Sequence, residues 1–115
     1  MNITTDRSDD ARVVIIRIGE SKLVYPLLSD FSELILKLID AGDARVVIDM
    51  TTVVYVDSAS IGCLMDLYRR ATQAGGALKL SGVQKRVETM LTMTGTGNFI
   101  ELHADESAAV GSFGE

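Results

Sequence analysis

Three runs of β-branched and aliphatic residues, RVVIIRI at 12–18, ARVVIDM at 44–50 and ALKLSG at 77–82, recur about thirty residues apart. Apolar residues at helical spacing fill the gaps between them. This alternation leaves little choice of fold. Near-continuous apolar strands suit a sheet buried on both faces. Strand–helix–strand units of this length form right-handed crossovers between parallel neighbours.

The helical stretches are legible one by one. Leu27, Leu28, Phe31, Leu34, Ile35, Leu38 and Ile39 predict a first helix that ends at DAGD, with Gly42 as its C-cap. Ile61, Leu64, Met65, Leu67, Tyr68 and Ala71 predict a second, stopped by Gly75 and Gly76. VQKRVETMLTMTG reads as an amphipathic helix ending at Gly95, NFIEL as a last strand, and DESAAVGSF as a short terminal helix. Asp105 and Glu106 suit the positive end of that last helix. At the other terminus NITT reads as a short edge strand turned back by the polar DRSDDA, and GESKLVYP at 19–26 as an exposed connection. The expectation is one α/β domain over residues 1–115, with a central, mostly parallel sheet of four to five strands covered by about four helices. No repeat or linker interrupts it.

Composition narrows the function classes. A length of 115 residues supports one core and not two. A formal charge of −5 argues against direct binding to nucleic acid, and 5% aromatics without Trp leave no platform for stacked bases. No apolar run approaches the roughly 18 residues of a membrane span. MNITTDRSDD lacks the basic and apolar regions of a signal peptide, so a cytoplasmic location is expected. Cys63 is the single cysteine, which excludes a disulfide framework and a thiolate metal cluster. Neither a metal site nor a cofactor is expected.

In open α/β sheets function gathers at the carboxyl ends of the strands, where helix N-termini present free N–H groups. VVYVDSASIGCL at 53–64 occupies such a place, with Asp57, Ser58 and Ser60 where an extended segment enters a helix. Asp57 or Ser58 can cap the helix. The same free amides and dipole can receive a phosphate on Ser58 or Ser60. The two roles are compatible.

Other chemistry fits less well. A hydrolytic serine needs a base and an oxyanion hole, commonly announced by G-x-S-x-G, and D-S-A-S-I-G is not that pattern. His103, the single imidazole, reads as an exposed residue near the sheet edge. Asp49 ends a strand as a receiver phosphoacceptor does. However, Asp9 and Asp10 precede the first strong strand and Lys79 lies inside its own, so Asp49 is expected to order the following loop. TGTGN at 94–98 runs from helix to strand, the reverse of a phosphate cradle, so Gly95 and Gly97 read as cap and turn. Met90 and Met93 read as core residues. Cys63 reads as a buried residue on the inward stripe of its helix and not as a reactive thiol.

With these elements in place, residues 46–102, and more broadly 12–113, resemble the STAS domain family, and specifically its free-standing anti-sigma factor antagonists. The family passes from a strand ending in D-L-S through V-x-F-I-D-S-S-G-L-G into a helix, then a glycine pair and a tail matched here by TGTGNFIELHADESAAV. The resemblance implies a STAS fold and a phosphorylation-switched binding module. Its partners would be an anti-sigma factor with serine kinase activity and a PP2C-type phosphatase. It places the phosphoacceptor on Ser58, with Ser60 as the alternative, and a partner-binding surface on Asp57, Ser58, Ala59, Ser60, Glu20 and Lys22. Ala59 and Ser60 stand where the family has serine and glycine, and Lys22 where its G-E-L-D loop has an acid. Lys22 and Ser58 both follow the carboxyl ends of neighbouring strands, so Lys22 is expected to be exposed, on the same face as Ser58. The alternative within the fold is a non-phosphorylated scaffold subunit of a stress-signalling or lipid-transport assembly, with Ser58 a simple cap.

Overall fold

The computed structural model describes residues 1–10 and 12–114. Seven strands and four α-helices follow in the order β1 (Ile3–Arg7), β2 (Val14–Ile18), β3 (Lys22–Leu23), α1 (Leu28–Asp40), β4 (Arg45–Asp49), β5 (Tyr55–Val56), α2 (Ser58–Gln73), β6 (Ala77–Ser81), α3 (Lys85–Met93), β7 (Leu102–His103) and α4 (Glu106–Gly111). The main sheet has the order β1-β2-β4-β6-β7. Its strands are parallel except β1, which lies antiparallel on β2. The five-stranded sheet and four helices are the predicted mixed α/β architecture. Of the predicted turn over 6–11, Ala11 lies outside the described residues.

The sheet divides its two faces unequally, and the alternation of its strands says how. Val14, Ile16, Ile18, Val46, Ile48, Leu78 and Leu80 point to the side covered by α1, α2 and α3, and share one core with Phe31, Ile35, Leu64, Leu67, Val87 and Leu91. On the other side Val13, Ile15 and Val47 share a smaller apolar cluster with the α4 residues Ala109 and Val110 and the following Phe113.

Four expectations need correction. The 19–26 connection is not simply exposed: Leu23 is fully buried, and β3 pairs in parallel with β5, Lys22 opposite Tyr55 and Leu23 opposite Val56. In NFIEL only Leu102 belongs to the last strand. Residues Thr96–Asn98 form a 3-10 turn, because Thr96 is buried and Ile100 drops into the core before pairing with β6 can begin. Met93, read as core, is 82% exposed, since it follows the inward Leu91 by two residues on a helix and so faces away. His103 is half-buried on β7 and sits 2.9 Å from Glu101 Oε1.

Candidate functional site

The connections that leave β2 and β4 at their carboxyl ends zip together before α2 begins. Val54 N–H donates to the Ser21 carbonyl at 2.7 Å, and the β3–β5 pair follows. One step beyond, Asp57 closes the structure. Its backbone is extended (φ −99°), and Oδ1 accepts from the Ser60 amide at 2.8 Å, the N-cap geometry. Oδ2 accepts from the Tyr25 amide at 2.9 Å. One carboxylate thus holds both the first turn of α2 and the chain entering α1. The hydroxyl of Ser60, joined by the amides of Tyr25 and Ser60, keeps the Asp57 carboxyl below its ordinary value.

The two serines part company here. Ser60 is fully buried, and its hydroxyl lies 2.6 Å from both the Leu23 carbonyl and Asp57 Oδ1. Ser58, the first residue of α2, is exposed, and its hydroxyl makes no hydrogen bond among the described residues. The cap is Asp57, not Ser58. Ala59 beside it is also exposed.

The structure places the remaining sequence candidates as follows. Lys22 is exposed on β3. Glu20 is engaged, its Oε2 accepting from the Asn2 amide at 2.6 Å. Asp49 orders the loop after β4 as expected, with Oδ1 accepting from the Thr51 amide at 2.8 Å and from the Thr51 hydroxyl. Cys63 packs against the core as expected but is half-buried, not buried. It lines a groove of about 670 Å³ between α1 and α2, together with Tyr25, Leu28, Leu36, Ala59 and Gly62. Burial pushes its thiol up to about 11, so it stays protonated at neutral pH.

The sequence reading missed the apolar frame of the site. Tyr25, Val54 and Tyr55 are exposed at 72%, 37% and 41%; the Tyr25 amide bonds Asp57, the Val54 amide bonds the Ser21 carbonyl, and Tyr55 pairs with Lys22. Such a patch beside a free hydroxyl fits a protein-binding surface. The available signal was an aromatic residue inside a connection read as exposed.

The model of the STAS domain matches residues 2–109. The chain belongs to the STAS domain family. No curated protein matches it by sequence. Among solved structures, a STAS anti-sigma-factor antagonist domain protein from Planctomyces limnophilus superposes with a TM-score of 0.86 at 17% identity, covering 96% of this chain and 97% of that one. An anti-sigma factor antagonist from Mycobacterium paratuberculosis gives 0.82 at 16%, covering 97% and 94%. The Bacillus cell fate determinant SpoIIAA in its phosphorylated form gives 0.74 at 16%, covering 96% and 98%. At such identities the likeness is one of fold. The STAS fold accounts for the mostly parallel sheet with helices packed on it.

Asp57→Ala removes the cap, the tie to Tyr25 and one partner of a buried hydroxyl together. Its expected cost is about 2 kcal/mol in urea unfolding. A loss under about 0.5 kcal/mol would mean that the cluster holds nothing. Because the folded-state carboxyl titrates below its ordinary value, this stability is complete at neutral pH and is lost on acidification below about pH 4.

Proposed function

We propose that this STAS domain is an anti-sigma factor antagonist, a binding module switched by phosphorylation of Ser58. The observation that carries the reading is the free, exposed Ser58 hydroxyl at the first position of α2, framed by Tyr25, Val54 and Tyr55. Unmodified, this surface docks an anti-sigma factor with serine kinase activity and so releases a sigma factor for transcription. Asp57, Ala59, Lys22 and Glu20 flank the contact, and buried Ser60 supports it from below. A phosphate on Ser58 adds about −1.5 to −2 charge at the docking surface, and repulsion and desolvation then oppose docking. A PP2C-type phosphatase restores the unmodified form. ATP and Mg²⁺ belong to the kinase, and the domain itself acts by binding and not as an enzyme, with the cytoplasm as its compartment.

Calorimetric titration of the kinase partner with unmodified and phosphorylated protein tests the switch. Phosphorylation should weaken binding by about tenfold or more. Equal affinities would exclude the switch and leave the scaffold role. Lys22 stands where the family carries an acid, so its charge matches this chain to its own partner. Lys22→Asp should cost several-fold in affinity, up to about tenfold, with the difference shrinking at high salt. Unchanged affinity would remove Lys22 from the interface.

A further inference from the structure

The face of the sheet opposite α1–α3 has a cover of a different kind. α4 is six residues long, well below the roughly 12–15 at which an isolated helix becomes marginal in water. Ala109 is its one fully buried residue. Its apolar contact with Val13, Ile15 and Val47 is small beside the core on the other face. Cations rising from the sheet hold both of its ends. At the start, Arg17 donates from Nε and Nη2 to the two Glu106 carboxylate oxygens at 2.7 and 2.9 Å. At the end, Lys79 Nζ donates to the Ser112 carbonyl at 3.2 Å and the Ser112 hydroxyl at 2.8 Å, and lies 4.3 Å from the centre of the Phe113 ring.

Lys79 is the unusual member. It stands opposite Val47 in register, on an inner strand, and is 7% exposed. A well-packed apolar side chain there would cover the sheet without the cost of burying an ammonium. An ammonium makes the closure depend on a few directional contacts instead. The carbonyl, the hydroxyl and the ring all belong to residues 112–113 and are lost together once the segment lifts, while the ion pair of Lys79 with Glu101 at 3.3 Å, beside β7, stays with the sheet.

We propose that α4 and Phe113 form a strap, latched at its two ends by Arg17 and Lys79, that opens while the three-helix layer stays folded. Opening uncovers Val13, Ile15 and Val47 on the face away from the α1–α2 groove, while Arg17 keeps its ion pair with Asp6 at 3.2 Å and Lys79 its ion pair with Glu101 at 3.3 Å. The inference is independent of the role of Ser58.

Native-state amide hydrogen exchange on the full chain, read residue by residue over a range of low urea concentrations, tests it. The Ala109, Ser112 and Phe113 amides, which bond to carbonyls of their own segment, should exchange at least about a hundredfold faster than those of Ile48 and Leu64, with a urea dependence that is measurable but much smaller than theirs. Lys79→Met keeps the length of the stem and removes the charge. It should speed exchange at Ala109, Ser112 and Phe113 by about tenfold more, leaving Ile48 and Leu64 unchanged. If Lys79→Met does not fold, Glu106→Gln at the half-buried first end carries the same expectation. A common rate for α4 and β4 overturns the strap, and so does an α4 rate that neither substitution alters.

Discussion

Ser58→Ala should abolish phosphate incorporation from the kinase partner, to below detection by peptide mass spectrometry, while leaving the unfolding midpoint almost unmoved. Both halves of this result follow from the local geometry. Ser58 presents the free hydroxyl at the helix start, whereas Ser60 is buried, with its hydroxyl between the Leu23 carbonyl and Asp57. A kinase reaching Ser60 would have to take apart the first turn of α2 and the β3–β5 pair. Stability should change by less than about 0.5 kcal/mol, because Asp57 is the cap and Ser58 is exposed. The unmodified binding mode should also survive, since the variant loses one solvated oxygen. Ser58→Asp should mimic the phosphate only in part, having less charge and fewer acceptor oxygens. Phosphate found on Ser60 would move the site, and a loss of about 1 kcal/mol in Ser58→Ala would return the capping role to Ser58.

Gly76→Ala should cost about 3 kcal/mol or more in urea unfolding, against about 1 kcal/mol for Gly75→Ala. The two glycines are neighbours in sequence and differ in what surrounds them. Gly75 adopts φ +87°, with nothing within 4 Å of an added Cβ, so its substitution meets only the strain of left-handed backbone. At Gly76 an added Cβ would lie 2.0 Å from the Ala44 carbonyl oxygen and 2.4 Å from its carbon. That carbonyl accepts the Ala77 amide at 2.9 Å, the hydrogen bond that starts β6 beside β4. Relief therefore means parting two central strands, which no side-chain rearrangement can replace. Equal costs at the two positions would show that β6 shifts freely at its start.

The alternation of apolar strand runs with 3.6-residue periodicity was sufficient for the α/β class, for β2, β4 and β6, and for the inward residues of α1 and α2. These are local patterns, and each element carries its own. The DSAS stretch was also legible as a helix start at the carboxyl end of the sheet, because capping residues announce themselves within three positions. Asp57 and Ser58 remained interchangeable as caps, and Ser60 remained the alternative to Ser58 as the surface hydroxyl, until the chain closed on itself. What separates them is the Leu23 carbonyl and the Tyr25 amide, more than thirty residues earlier. The same holds for Cys63, placed in a groove only because α1 packs beside α2, and for Lys79, whose partners come from residues 101 and 112–113. Periodicity states which side of an element is apolar. Whether that side is covered, and by what, depends on elements far away in the chain, and burial and hydrogen-bond partners are properties of that packing.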